Sequence, residues 1–170
     1  GGKPLAGTIE IEGAKNASLP AIVAACLSEE SVLLKNVPTQ LNDVKQITQL
    51  LIDMGVDVEI NHESKTIQCK GGNWTGGRLD GNIAGKIRHS LLLIGLSVSW
   101  KKNIVLPMPG GCDLGNRKHD MHVDAMKALN NQVTENEGIE IIYKEASDKT
   151  IIDFYYPTFG GTFNALFASV

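Results

Sequence analysis

The chain has 170 residues, enough for one substantial core or two small ones. Its 42% apolar content and mean hydropathy of −0.05 predict a soluble globular protein. A formal charge of −3 offers no global basic field for a nucleic acid, and the longest apolar run, Ser90 to Val98, is too short to cross a membrane.

Taken in order, Leu5 to Ile11 alternates as a strand would, and Gly13 breaks it. The start itself, Gly1-Gly2-Lys3-Pro4, lacks a methionine and an apolar signal region, as a cloning remnant or a cut inside a longer chain would. Lys15 and Asn16 then fall at the entrance of an alanine-rich helix predicted over Ala21 to Leu27, with Pro20 in its first turn. Ser31 to Val37 reads as a strand stopped by Pro38. Asn42 and Asp43 are candidate caps for a helix over Val44 to Met54, whose apolar residues share one face, and Gly55 closes it in the left-handed conformation. Val56–Ile60 and Thr66–Lys70 pair as a hairpin, followed by a glycine-rich loop.

The pattern then restarts. Lys86 to Ser90 leads an apolar helix over Leu91 to Val98; Asn103 to Leu106 is a strand; Asp120 to Leu129 is a helix capped by Asn130-Asn131. Gln132–Glu135 and Glu140–Tyr143 form a second hairpin, Thr150 to Phe154 a strand, and Leu166 to Val170 a third apolar helix. Lys15 and Arg88 are 73 positions apart, and Gly55 and Asn130 are 75. Gly13-Ala14-Lys15-Asn16-Ala17 is mirrored by Gly161-Thr162-Phe163-Asn164-Ala165, 148 positions on. A helix–strand–helix–hairpin unit of about 74 residues thus recurs twice and begins a third time. The predicted architecture is α/β, an incomplete domain of repeated units. If equivalent helices converge, their positive N-terminal ends at Lys15-Asn16, Arg88-His89 and Asn164 point at one anion-attracting region.

Between the second unit's strand and its second helix lies Pro107-Met108-Pro109-Gly110-Gly111-Cys112-Asp113-Leu114-Gly115-Asn116-Arg117-Lys118-His119-Asp120-Met121-His122. Prolines end the strand, and glycines allow a close approach to a ligand. Nearby cations lower a thiol's hold on its proton, so Cys112 reads either as a reactive thiol or as a small residue in a tight loop. Cys112, His119 and His122 fit no zinc spacing, and no metal is expected. Cys26 falls in an apolar run and Cys69 in an alternating strand; three cysteines are too few for a disulfide scaffold and predict a reducing cytoplasm.

Gly13-Ala14-Lys15-Asn16-Ala17, together with Pro109-Gly110-Gly111-Cys112-x-x-Gly115-x-Arg117-x-x-Asp120-x-His122, closely resembles the UDP-N-acetylglucosamine 1-carboxyvinyltransferases, enolpyruvyl transferases of peptidoglycan precursor synthesis. The resemblance runs from about Leu5 to the end. It implies two inverse α/β domains of three repeat units each, barrel-like in arrangement. Residues 13–170 would belong to the first, and 1–12 would supply a strand to the second. It implies a cytoplasmic transferase that needs no cofactor and takes phosphoenolpyruvate and UDP-N-acetylglucosamine as substrates. Cys112 would be the proton donor and the residue alkylated by fosfomycin. Lys15 and Arg117 would hold the phosphoenolpyruvate anion. Asn16, Arg88, Arg117, Lys118, His119, Asp120 and Met121 would contact the UDP-sugar, and Thr158, Phe159 and Gly160 would form a uridine-binding turn. Neither a nucleic acid nor a membrane is an expected partner, but the second domain or remaining chain is. This stretch alone is expected to be inactive.

The chain departs from the family pattern where Lys118-His119 replaces a Pro-hydrophobic pair and where Tyr156 replaces a lysine. Two other readings follow. One is an enolpyruvyl transferase with another acceptor, such as a nucleoside. The other is a truncated, non-catalytic binding module.

Overall fold

Each repeat unit builds its own small sheet. The computed structural model describes residues 2–110, 118–146 and 149–170. The first unit comprises α1 (Lys15–Ala25), β1 (Val32–Leu34), α2 (Asn42–Asp53), β2 (Asp57–Asn61) and β3 (Thr66–Lys70). After β4 (Gly77–Arg78) and the single turn α3 (Gly81–Ala84), the second comprises a 3-10 turn (Arg88–Leu91), α4 (Leu92–Ser99), β5 (Ile104–Pro107), α5 (Asp120–Ala128), β6 (Gln132–Glu135) and β7 (Gly138–Ile142). α6 (Phe159–Ala168) opens a third. The strand orders are β1-β3-β2 and β4-β5-β7-β6, so β5-β7-β6 repeats the first sheet's order. All pairings are antiparallel except the short β4 alongside β5.

The helices line up with their burial. α4 buries every residue from Leu92 to Val98 and is packed by α1 and α6, so it reads as an apolar run with no polar face. α2 is amphipathic, burying Val44, Ile47, Leu50 and Leu51. Its Asn42 and Asp43 lie inside the first turn, and no side chain caps it; Asp43 instead bonds Lys15 Nζ at 2.9 Å. Gly55 (φ +79°) and Asn130 (φ +67°) take the left-handed conformation expected after the second helix of each unit.

Several expectations change. α1 starts at Lys15, so Pro20 sits in its second turn. A proline there has no N–H for the Asn16 carbonyl, four residues back, at the helix entrance. Leu5 to Ile11 forms no ladder; Leu5 is 99% exposed, and the segment is tied down at Glu12 by Lys65 Nζ at 2.6 Å. Thr150 to Phe154 is not a strand either. Its alternation is real, since Ile152 and Phe154 pack on the core while Ile151 is 89% exposed, but it joins neither of the two described sheets. α6 begins at Phe159 rather than Leu166, because Thr158 caps it through Gly161 N–H at 3.2 Å. Asn164 is therefore a fully buried mid-helix residue and not a helix-entrance residue. Among the described residues no helix is long and apolar enough to span a membrane.

Candidate acceptor pocket

Four helix entrances meet at one hollow. A pocket of about 670 Å³ is lined by Asn16 from α1, by Arg88, His89, Leu91 and Leu92 from the 3-10 turn and α4, by Lys118, Met121 and His122 around the start of α5, and by Tyr155, Tyr156, Thr158, Phe159 and Gly160 leading into α6. Segments more than 140 residues apart in the chain are brought together because α4 is flanked by α1 and α6. Helix entrances expose N–H groups that lack helical partners, so the hollow favours acceptor atoms and anions.

Asn16, Arg88, Lys118, Met121, Thr158, Phe159 and Gly160, expected to contact a sugar nucleotide, all line it. Arg88 Nη2 donates to the Lys118 carbonyl at 2.6 Å, joining the entrance of the second unit's first helix to that of its second. His119 and Asp120 face an adjoining hollow of about 340 Å³, with Arg88, Lys118, Met108, Pro109 and Glu135. There His119 Nε2 lies 2.8 Å from Glu135 Oε2. Lys15 lines neither hollow; it pairs with Asp43 beside the α1 entrance. Cys112 and Arg117 lie outside the described residues, and so does any metal reading that includes Cys112. Among the described residues no three His, Cys, Asp or Glu side chains gather as a metal site would require.

The electrostatics are asymmetric. Burial holds the His122 imidazole neutral, with its pKa lowered to about 4, and the nearby Arg88 cation adds to this. Burial also lowers His89, helped by the positive charge of Lys15. Tyr155 donates to Asp120 Oδ2 at 2.9 Å, which raises the phenol to about 12 and lowers the carboxyl. Arg88 and Lys118 thus supply the pocket's fixed charge, while the histidines supply neutral polar groups. Tyr155 and Tyr156 meet edge to face, with ring centroids 4.8 Å apart.

His122, His89, Tyr155 and Tyr156 were not among the residues assigned to substrate. His122 carried a signal: it occupies a helical position that would otherwise be apolar, between Met121 and Val123 on the buried face of α5. No sequence signal marks Tyr155, whose role comes from its reach to Asp120 across 35 positions.

The sequence model of the family described as EPSP synthase (3-phosphoshikimate 1-carboxyvinyltransferase) matches residues 1–170. Over 169 residues the chain is 34% identical to a UDP-N-acetylglucosamine 1-carboxyvinyltransferase of Halothermothrix orenii, covering 99% of this chain and 40% of that protein. A protein of the same name from Koribacter versatilis is 35% identical over 142 residues, covering 81% of this chain and 32% of the relative. The chain therefore spans about 40% or less of these relatives' lengths. In fold it is similar to the crystal structure of the enolpyruvyl transferase NikO from Streptomyces tendae, with a TM-score of 0.68 at 17% identity, covering 86% of this chain and 32% of that one. The repeat topology and the full-length family match lead to one assignment: the chain belongs to the EPSP synthase family of carboxyvinyltransferases.

Proposed function

We propose that this chain is the acceptor-binding part of a cytoplasmic enolpyruvyl transferase that moves the enolpyruvyl group of phosphoenolpyruvate to the 3′-hydroxyl of UDP-N-acetylglucosamine, the first committed step of peptidoglycan precursor synthesis. The observation that carries it is the convergence of Asn16, Arg88, Lys118, Met121 and Thr158–Gly160 on one pocket; the names of the similar curated proteins support the same acceptor. Residues 13–170 would form the first domain. Residues 1–12 would pair with the remaining chain, which must be present for turnover.

In this reading the sugar hydroxyl oxygen adds to C2 of phosphoenolpyruvate, its proton passing to a base supplied by the remaining chain, while the Cys112 thiol gives a proton to C3. Return of a proton from C3 to the Cys112 thiolate and cleavage of the C2–O bond to phosphate then restore the double bond and release inorganic phosphate. Lys15 and Arg117 hold the phosphoenolpyruvate anion, and fixed cations stabilise the departing phosphate. Neither a metal nor an organic cofactor takes part in these steps.

The test is phosphate release by the complete gene product given both substrates. It should be lost in Cys112→Ala, and fosfomycin should alkylate Cys112 in preference to Cys26 and Cys69. Turnover undiminished in Cys112→Ala, or alkylation confined to the other two thiols, overturns the assignment. A second reading, a nucleoside acceptor, is favoured by Tyr156, an aromatic side chain lining the pocket where the resemblance leads one to expect a lysine. Retention of uridine with no retention of UDP-N-acetylglucosamine would select it.

A further inference from the structure

We propose that Asn164 is a positioning residue that fixes the His122 ring with its proton on Nε2, and that this N–H is a donor to a carbonyl or hydroxyl oxygen of the bound acceptor. The second half rests on the acceptor reading of the pocket.

The amide of Asn164 is fully buried and has no freedom of orientation. Its oxygen accepts from Gly95 N–H at 2.8 Å, and its nitrogen donates to the Leu91 carbonyl at 2.9 Å. Both partners are backbone groups, one donor only and one acceptor only, so the amide cannot be turned over. The second hydrogen on the same nitrogen then points to His122 Nδ1, 2.8 Å away. Nδ1 must accept, and the proton of the neutral ring stands on Nε2.

Nε2 is the other edge of that ring. Among the described residues nothing accepts from it, and no buried side-chain nitrogen or oxygen lacks a partner. His122 is 8% exposed and lines the pocket, so that small opening is where Nε2 meets it. Two glycines accommodate the pair. A Cβ on Gly95 would stand 2.6 Å from the Asn164 oxygens, and one on Gly160 would stand 2.7 Å from both Cε1 and Nε2 of His122. His122 also occupies the helix position that Ile47 occupies in the first unit, 75 residues earlier, the offset that relates Gly55 to Asn130. An imidazole in place of a buried isoleucine needs a partner on each nitrogen; Asn164 supplies one, and the pocket's occupant supplies the other. The donor is uncharged, because burial disfavours the imidazolium.

The experiment is nitrogen-15 ring NMR of this chain at neutral pH. Without ligand, His122 should show a pyridine-type Nδ1 and a pyrrole-type Nε2. In Asn164→Asp, whose carboxylate only accepts, Nδ1 should become pyrrole-type. A pyrrole-type Nδ1 in the unchanged chain overturns the proposal, whether or not the variant folds; so does a folded variant with Nδ1 unaltered. UDP-N-acetylglucosamine is then added. A displaced Nε2 resonance supports the donor contact. Shifts at Arg88 and Met121 with Nε2 unmoved overturn that contact. No response anywhere overturns the acceptor reading itself, while the ring tautomer is decided by the ligand-free spectrum.

Discussion

The two repeat units share a strand order and differ in how they connect strand to helix. In the first unit β1 passes to α2 through residues 35–41, a tight turn in which Val37 N–H donates to the Lys65 carbonyl, and Asn36 takes φ +55°. In the second, β5 passes to α5 through residues 108–119, the stretch that holds Cys112, Arg117 and Lys118. The first unit's α2 buries Ile47; the second unit's α5 buries His122. Both copies bring a helix entrance to the pocket, Asn16 from the first and Arg88 and Met121 from the second, and the second differs by a longer connection and by a polar side chain, His122, at the core position where the first has Ile47. Loops and isolated exceptions to an apolar pattern carry function, while repeated packing carries stability.

The sharpest way to break that comparison is at Asn164. Replacing it with leucine leaves His122 Nδ1 without a partner, removes the side-chain bonds to Gly95 N–H and the Leu91 carbonyl, and forces new bulk against Gly95. A buried unpaired group costs roughly 1–3 kcal/mol and overpacking about as much again, so Asn164→Leu should lose about 2–5 kcal/mol in urea unfolding. A loss near zero would mean the α4–α5–α6 junction is not held by this amide.

The folded pKa of His122, about 4, lies below its ordinary 6.5. Between those values the unfolded chain binds more protons, so stability present above pH 6.5 is lost as pH falls toward 4. Complete loss is worth about 3 kcal/mol at 1.36 kcal/mol per pH unit. The His89 shift has the same direction and adds to it. Unfolding free energies measured from pH 7 to 4 should fall, and His122→Gln should flatten the curve. An unchanged slope in that variant would contradict the buried neutral imidazole.

Gly160→Ala tests the pocket more narrowly. The added methyl presses on Nε2 and Cε1 of His122, and UDP-N-acetylglucosamine binding by calorimetry should weaken about tenfold, or about 1.4 kcal/mol. The smallest effect should be at the α6 cap. Thr158→Ala removes the acceptor for Gly161 N–H and should cost about 1 kcal/mol by thermal unfolding, while the first unit's amides keep their exchange protection.

Much of this was legible in the sequence. The left-handed Gly55 and Asn130, both hairpins and the repeat follow from local backbone preference and period. Motif resemblance singled out Asn16, Arg88 and Thr158–Gly160, which line one pocket, and the repeat anticipated the meeting of the first two units' helix entrances there. What escaped depends on distant partners. Gly160 and Gly161 are glycines because His122, Thr158 and Met121 leave no room for side chains, which only the packed fold reveals. Thr150 to Phe154 alternates like a strand, but alternation records burial of Ile152 and Phe154 and not a ladder. Asn164 matched Asn16 by letter and not by place, because α6 begins five residues before it. β4 was missed because it is two residues long and held by β5, and the α3 turn because it is a single turn, although Asp80 caps it through Asn82 N–H at 2.8 Å.

The most direct test of the central claim is a backbone NMR titration of this chain with UDP-N-acetylglucosamine. Saturable shifts are expected at Asn16, Arg88, Met121, His122 and Gly160, with the first unit's hairpin, Asp57 to Lys70, unmoved. Shifts centred on that hairpin, with the pocket residues silent, would contradict it.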